Sequence, residues 1–449
     1  MVEDGDTPVR VLHVSQPNAG GVAVYIGQAV REQRARGWEV AVACPPGGDL
    51  PARCAAAGVP WFSWKAGRAP GPRVLLESLS LRRLVKGFEP DVVHLHSAKA
   101  GLAGRLPGRP RGTPTIFQPH GWSWLAATGA QDALSRWWER LAARWSDALV
   151  CVGLGELRDG VRAGVRGPYR IVRNGVDRRL FRPADAAARL VARTRLGLPA
   201  AVPLAVCVGR LTRQKGQDVL VAAWPAVLAR CPTARLAIVG DGADLDLLRR
   251  APTAGGVLFA PASREPADWL SASDVVVLPS RWEGLSLIAL EALAVGRSLV
   301  GSDVPGIAEV VRPGVGALVP ADDPAALAAA VAHRLLRPAV AEREGRAAAA
   351  ASAGYDLGRT LALLASVTRE VAALRDHRCS GGRCPDDRCF DDRCFDERCL
   401  DDRFFDGVAL DCDLLDCDLL AADAPDADAA DGGALGTGAA AGPVPNSSR

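Results

Sequence analysis

The sequence has 449 residues, of which 49% are hydrophobic and 23% are charged, with a formal net charge of +3. A chain of this length exceeds one typical hydrophobic core, so we expect two domains. No run reaches the roughly 18 apolar residues of a membrane-spanning helix, and residues 1–6 are too acidic and polar for a signal peptide. The composition therefore excludes a membrane-spanning protein and predicts a soluble enzyme of the cytoplasm.

In chain order, predicted strands and helices alternate through two successive blocks. The first block has strands at residues 9–14, 39–44, 91–95, 114–117, 148–152 and 169–172. The pattern restarts near Pro203, with strands at residues 204–208, 234–239, 257–259, 275–278 and 298–300. This alternation is typical of α/β domains with a doubly wound parallel sheet, so each block predicts one Rossmann-like domain.

The domain boundaries follow from these blocks. We place the first domain at residues 1–182 and the second at residues 183–352, with a polar linker near residues 182–202. A final amphipathic helix at residues 353–375 is expected to pack back on the first domain. Residues 376–449 form a separate low-complexity tail.

Charge and cysteine divide the chain in the same place. Residues 376–449 hold 18 acidic and 7 basic residues, a net of −11, whereas the part before them carries +14. Seven of the twelve cysteines lie between Cys379 and Cys417, in Cys/Asp units that repeat every five residues. A period of five fits neither helix nor solenoid, so we expect a disordered extension, with a soft-metal site as the alternative.

The net positive charge of residues 1–375 suits an anionic ligand such as a nucleotide diphosphate, or an anionic membrane face. A solvated, Arg-rich surface is the alternative. No nucleic-acid partner is predicted.

Two segments of the first domain follow predicted strands, at the edge where such sheets present ligands. Gly20 and Gly21 let backbone N–H groups approach a ligand at a helix N-terminus, or else only form a turn. His120 follows another strand, where its imidazole can donate a hydrogen bond or move a proton. Structural roles are expected for the histidines inside or at the ends of strands, which are His13, His94 and His96.

Two cations and two carboxylates mark the second domain. Arg210 and Lys215 lie between a strand and a helix start, where they can hold a diphosphate and stabilise its charge. Glu283 is expected in a loop or first turn, and Glu291 about 12 Å further along a helix. Glu283 can simply complement the helix dipole, but Glu291 stands among apolar residues and needs a partner, either ribose hydroxyls or an arginine.

Over roughly residues 9–375 the sequence resembles the family 4 retaining glycosyltransferases, which have the GT-B fold of two Rossmann-like domains facing across a cleft. The segments that carry the resemblance stand in family order: Gly20-Gly21, His120-Gly121, Asn174-Gly-Val-Asp177, Gly209-Arg210 through Lys215-Gly216, Val239-Gly-Asp-Gly242, and Glu283 with Glu291. Residues 96–105 and 117–124 look most like members that build bacterial exopolysaccharide, capsule or O-antigen.

The resemblance implies that the nucleotide-sugar donor lies on the second domain and the acceptor on the first. Arg210 and Lys215 would hold the donor diphosphate, and Glu291 the ribose hydroxyls. Glu283 would contact the donor sugar together with three backbone amides, those of Gly284, Leu285 and Ser286.

The implied chemistry is transfer with retention, in which the leaving phosphate takes the acceptor proton. His120 would reach the sugar from across the cleft, and Gly20 and Gly21 would line the meeting point of phosphate and acceptor. The catalytic set is therefore His120, Glu283, Arg210 and Lys215. No cofactor and no metal are implied.

The expected partners are a nucleotide-diphosphate sugar, with UDP-sugar favoured, and a lipid-linked or oligosaccharide acceptor of cell-surface polysaccharide synthesis. Phe259-Ala-Pro261 departs from the family pattern near the base pocket, so GDP-mannose is the close alternative donor. A nucleotide-sugar 2-epimerase and a non-catalytic sugar-nucleotide binder are the alternatives of other classes. Trp137, Trp138, Leu141 and Trp145 fall at helical spacing and predict either peripheral membrane contact or a helix that covers the first sheet.

Overall fold

The computed structural model describes residues 8–68, 71–106, 113–252, 255–263 and 266–379, with side chains described up to residue 375. The predicted disordered tail and its cysteine repeat lie outside the described residues, apart from the helical backbone of residues 376–379.

The first domain is built on a seven-stranded parallel sheet, because its apolar strands are buried on both faces by helices. Its strands are β1 (Arg10–Ser15), β2 (Glu39–Cys44), β3 (Trp61–Ser63), β4 (Val92–His96), β5 (Thr115–Gln118), β6 (Ala148–Cys151) and β7 (Tyr169–Ile171). They lie in the order β3-β2-β1-β4-β5-β6-β7. The helices are α1 (Gly21–Ala35), α2 (Leu50–Ala56), α3 (Val74–Phe88), α4 (Ser97–Arg105), α5 (Ala130–Ala142) and α6 (Leu154–Arg162).

The second domain repeats this architecture with a six-stranded parallel sheet. The helix α7 (Ala186–Arg195) precedes the strands β8 (Leu204–Val208), β9 (Arg235–Val239), β10 (Val257–Ala260), β11 (Val275–Leu278), β12 (Ser298–Ser302) and β13 (Gly316–Val319). The sheet order is β10-β9-β8-β11-β12-β13. The remaining helices are α8 (Gln217–Arg230), α9 (Leu245–Arg250), α10 (Pro266–Ala272), α11 (Leu287–Val295), α12 (Pro305–Ala308), α13 (Pro324–Leu336), α14 (Pro338–Ala351) and α15 (Leu357–Cys379).

These two sheets confirm the predicted fold class of two Rossmann-like domains. In each sheet the first strand lies in the middle, and the chain adds strands on one side before it returns to add strands on the other side. This switch falls between β1 and β4 in the first sheet and between β8 and β11 in the second. Ligands of doubly wound sheets bind at such a switch point, beyond the carboxyl ends of the strands. The loops after β1, β5, β8 and β11 carry the predicted site residues, so the topology gathers them at these two edges.

The chain crosses between the domains twice, and the two crossings touch. Val176 donates its N–H to the Tyr355 carbonyl at 2.8 Å, and Leu357 donates to the Val176 carbonyl at 3.2 Å. After the second crossing, α15 packs on the first sheet, where Leu361 and Leu364 share a core with Ile26 of α1. The final helix thus belongs to the hydrophobic core of the first domain.

The prediction of a polar linker near residues 182–202 is wrong, because this segment contains α7. Its N-cap is Asp185, whose carboxylate accepts a hydrogen bond from the Ala188 N–H at 2.8 Å. Arg193, buried on the inner face of α7, bonds the Asp274 carboxylate at 2.8 Å. Two short edge strands, β3 and β13, were also absent from the sequence prediction, since three or four residues give too little pattern.

No helix among the described residues is both long and apolar enough to cross a membrane.

Candidate active site

The loop after β8 brings Lys215 against the carboxyl end of β11. Gly216 allows this approach: its φ is +66°, and a Cβ there would lie 1.9 Å from the Pro279 carbonyl oxygen. Lys215 then forms an ion pair with the carboxylate of Glu283. The hydroxyl of Ser280 donates to the same carboxylate at 2.8 Å. Two residues that the sequence assigned to the donor site are therefore in direct contact.

Glu283 lies in a loop, because α11 begins only at Leu287. The predicted loop position of Glu283 is therefore confirmed, whereas the single helix through both glutamates, on which the 12 Å expectation was based, is not formed. Ser286 is the N-cap of α11 and accepts a hydrogen bond from the Ala289 N–H at 3.4 Å. The amides of the loop consequently precede a helix N-terminus, where they favour negative charge.

Glu291 is the fifth residue of α11 and is half-buried. Its Oε2 atom has no hydrogen-bond partner among the described residues. Burial raises the pKa of this carboxyl to about 8. Of the two partners considered from sequence, no described arginine satisfies Oε2, so this oxygen can still accept from hydroxyl groups of a ligand.

The glycine loop after β1 faces the second domain. A Cβ on Gly20 would lie 3.5 Å from Cδ of Arg210, and one on Gly21 would lie 3.5 Å from Cδ1 of Leu287. Although part of the Arg210 side chain stays exposed, desolvation in the cleft lowers the pKa of its guanidinium, and the positive charge of Arg68 lowers it further. An anion placed beside Arg210 would relieve this repulsion.

The loop of His120 meets the loop of Glu283 directly. A Cβ on Gly284 would lie 3.3 Å from the Gly121 nitrogen and 3.5 Å from the His120 carbonyl carbon. His120 has φ +52°, a left-handed conformation that side chains rarely adopt. Burial lowers its pKa to about 3, so the imidazole is neutral at pH 7 and offers one donor and one acceptor.

Glu156, which the sequence did not single out, holds this loop. Its carboxylate accepts from the Gly121 N–H at 2.5 Å and from the Val152 N–H at 2.7 Å. Burial raises the pKa of Glu156 to about 7, against the lowering effect of these two hydrogen bonds. A lone acid in the first turn of α6 is ordinary in sequence, so only the three-dimensional contact reveals it.

Two further contacts join the domains beside the site. The Asn174 amide donates to the Leu285 carbonyl at 2.7 Å, so the Asn174–Asp177 motif contributes a contact between the domains. Glu309 accepts from the Leu154 N–H at 2.8 Å and from Arg173 Nε at 2.8 Å. The second domain is thus fixed to the first through the N-terminus of α6.

The predicted residues therefore form one cluster, although their individual roles stay predictions. Arg210, Lys215 and Glu283 lie on one wall, and Gly20 and His120 lie on loops of the opposite wall. Such an arrangement can bind a diphosphate by charge and stabilise it further as it leaves. It can also hold polyhydroxy groups between carboxylates, amides and a neutral imidazole.

Known proteins are similar to this chain in sequence and in architecture. A model described as glycosyl transferase 4-like domain matches residues 20–175, and one described as glycosyl transferases group 1 matches residues 202–337. A D-inositol 3-phosphate glycosyltransferase of Thermobispora bispora is 31% identical over 82% of this chain and 95% of its own. An alpha-maltose-1-phosphate synthase of Mycolicibacterium smegmatis is 33% identical over 50% of this chain and 62% of its own.

Among solved structures, HepE of Anabaena, crystallised with UDP and glucose, superposes with a TM-score of 0.68 at 19% identity. The match covers 80% of this chain and 99% of HepE, which supports the GT-B fold. Neither sequence relative is named for exopolysaccharide, capsule or O-antigen synthesis, so the resemblance holds at the level of the family. Because the chain is 31% identical to the Thermobispora bispora glycosyltransferase and covers 95% of it, the chain belongs to the group 1 glycosyltransferases.

Proposed function

We propose that the protein is a retaining glycosyltransferase that moves a sugar from a nucleotide-diphosphate sugar, by preference a UDP-sugar, to a hydroxyl of an acceptor. The observation that carries the donor class is the unpartnered Oε2 of Glu291, on the same domain as the cations Arg210 and Lys215. A buried carboxyl oxygen without a partner is costly. The diol of a ribose would supply two O–H donors to it.

The donor would lie along the second domain. Arg210 and Lys215 neutralise the diphosphate, Glu291 takes the ribose, and the Glu283 loop with its amides takes the sugar. His120 would close over that sugar from the first domain. UDP is the first nucleotide to test because HepE, which has the same fold, binds it, and GDP-mannose is the alternative donor.

The transfer would proceed on one face of the sugar. The acceptor oxygen forms a bond to the anomeric carbon as the bond from that carbon to the phosphate oxygen breaks, and the released phosphate takes the acceptor proton. Arg210 and Lys215 stabilise the charge that develops on the phosphate. Glu283 is already engaged by Lys215 and Ser280, which favours a positioning role for it over a nucleophilic one. We propose that no divalent metal is needed, since these cations carry the required charge.

For the acceptor, we propose a molecule that carries a phosphate. Lys65, Arg68 and Arg73 line a groove of the first domain, and Arg68 is close enough to Arg210 to lower its pKa. The D-inositol 3-phosphate glycosyltransferase relatives favour a small phosphorylated polyol. A lipid-linked or oligosaccharide acceptor of cell-surface polysaccharide synthesis is the alternative, and a lipid linked through phosphate shares the same chemistry. An exposed Trp137 on α5 would then suit a membrane surface.

The deciding experiment is turnover of sugar nucleotides with defined acceptors, after a thermal-shift screen of UDP, GDP and ADP with their sugars. A nucleotide at 100 times its Kd stabilises by about 2.7 kcal/mol. Product with the anomeric configuration of the donor, seen by NMR, supports the proposal. Inversion of that configuration would refute retention, and isomerisation of UDP-N-acetylglucosamine without acceptor would indicate an epimerase. Nucleotide binding without turnover on any acceptor would indicate a non-catalytic sugar-nucleotide binder.

A further inference from the structure

Three buried polar side chains, those of Gln33, His13 and His96, form a continuous line of hydrogen bonds that ends at the half-buried His120. Oε1 of Gln33 lies 2.8 Å from Nε2 of His13, and Nδ1 of His13 lies 2.9 Å from Nε2 of His96. Nδ1 of His96 in turn lies 3.0 Å from Nε2 of His120. The line therefore runs from α1, through two neighbouring strands, to the loop that faces the second domain.

The strand register explains why these rings meet. β1 and β4 are parallel neighbours, and His13 lies opposite His94. His96, two residues further, points to the same face of the sheet and lies opposite Gln118, the last residue of β5. His94 stacks on His96 with ring centroids 4.0 Å apart, so it supports the line from the side.

Three of these histidines lie close enough to suggest a metal ion, but the distances argue against one. Two imidazole nitrogens on a tetrahedral zinc, each about 2.0–2.1 Å from the metal, would be about 3.3 Å apart. Nδ1 of His13 and Nε2 of His96 are 2.9 Å apart, which is a hydrogen-bond distance. The outer nitrogens of both rings are used by Gln33 and His120.

Because the histidine rings are neutral, all the hydrogen bonds in the line must run in the same donor-to-acceptor direction. Burial lowers the pKa of His13 to about 4 and of His120 to about 3, and it holds the pKa of His96 well below its usual range. A neutral imidazole has one donor and one acceptor nitrogen. If Gln33 Oε1 accepts from Nε2–H of His13, then Nδ1 of His13 must accept from His96, and Nδ1 of His96 must accept from His120.

We propose that Gln33, His13 and His96 are positioning residues that set the tautomer and the ring orientation of His120. The amide oxygen of Gln33 at one end places the proton of His120 on Nε2 at the other. Nδ1 of His120 is then an acceptor, which takes a hydrogen bond from a hydroxyl of the sugar in the cleft. This last contact rests on the proposed function, whereas the tautomer does not.

The substitution Gln33→Glu reverses the line at a pH acidic enough for the line to keep the extra proton of the new carboxyl. An ionised carboxylate beside a neutral His13 would instead accept from Nε2–H and keep the wild-type direction. If the new carboxyl is protonated it donates to Nε2 of His13, and if it gives that proton to His13, both nitrogens of that ring are protonated. In either case Nδ1 of His13 becomes a donor, and the reversal passes through His96 to leave His120 protonated on Nδ1. The substitution Gln33→Leu removes the bias, so both tautomers of His120 are expected.

The test measures imidazole ¹⁵N chemical shifts in the unliganded full-length protein, because these shifts distinguish the two tautomers. The wild-type protein should show His120 protonated on Nε2 and Gln33→Leu a mixture, whereas Gln33→Glu should show Nδ1 at acidic pH and Nε2 once its carboxyl is ionised. Gln28→Glu, on the same helix but outside the line, is the control for added charge and should match the wild type. One tautomer shared by all four proteins would overturn the proposal.

Activity separates this proposal from the proposed function. With UDP-glucose as the probe, and at the pH where the reversed tautomer is seen, Gln33→Glu should lower kcat about three- to ten-fold, the worth of one neutral hydrogen bond, while the Kd for UDP stays unchanged. An unchanged kcat in the presence of the reversed tautomer would overturn the contact between Nδ1 and the sugar. If the tautomer of His120 changes with the residue at position 33, the positioning role is supported even when UDP-glucose is not turned over. Failure to turn over UDP-glucose would count only against the proposed donor.

Discussion

The substitution Glu291→Gln should make the unliganded protein more stable and the nucleotide complex weaker. Burial raises the pKa of Glu291 from 4.5 to about 8, so between these values the folded state holds a proton that the unfolded state has released. The free energy of unfolding therefore falls as the pH rises through this window. At pH 7 the carboxyl costs about 3 kcal/mol, and glutamine, of almost equal size, removes that cost.

The same substitution removes a charged acceptor for the ribose. A hydrogen bond to a charged group contributes about 1.5–3 kcal/mol, so the Kd for UDP should rise about ten- to a hundred-fold. Two O–H donors favour the ionised carboxylate, so UDP binding should lower the pKa of Glu291 and release up to one proton at pH 7. Glu291→Gln should abolish this release.

Chemical denaturation at pH 5, 7 and 8 measures the first effect, and calorimetry in buffers of different ionisation enthalpy measures the second. Glu344→Gln is the matched control, because Glu344 is a buried glutamate whose carboxylate already has a partner, Arg334, at 2.7 Å. That variant should lose stability, since it leaves a buried cation without its partner, and should bind UDP normally. A loss of stability at pH 7 in Glu291→Gln, or an unchanged Kd, would refute the reasoning.

Three other substitutions probe the walls of the site. Lys215→Ala should abolish turnover and weaken UDP binding without unfolding, as measured by kinetics and Tm; normal turnover would remove Lys215 from the site. Glu156→Ala frees the Gly121 amide, so kcat should fall at least ten-fold while the Kd for UDP changes little; equal losses in both would indicate general damage. Glu309→Gln weakens the contact with Arg173 and should lower the free energy of unfolding by about 1–2 kcal/mol in a denaturant titration; an unchanged value would show that this contact is replaced by water.

The sequence predicted the residues that lie at strand ends, because that placement depends only on local pattern. Arg210 and Lys215 follow one strand and Glu283 another, and parallel strands end at the same edge. It did not predict Glu156, since its role depends on which loop lies over the first turn of α6.

The histidine line could not be predicted for a related reason. His13 and His96 were expected to be structural, and each is indeed buried in or at the end of a strand. Their connection to His120 depends on the register of β1 against β4 and on a glutamine that a helix brings above the sheet. The distances between side chains on different strands depend on how the strands pack, and the residue pattern within a single strand does not reveal that packing.

The paired crossings between the domains limit how the enzyme can move. Because Val176 bonds both Tyr355 and Leu357, the two connecting segments are held together as one strap. A rotation of one domain against the other about this strap would change the gap between Arg210 and Gly20. Such a rotation would also have to break the contacts of Glu309 with Leu154 and Arg173, which fix the second domain to the first.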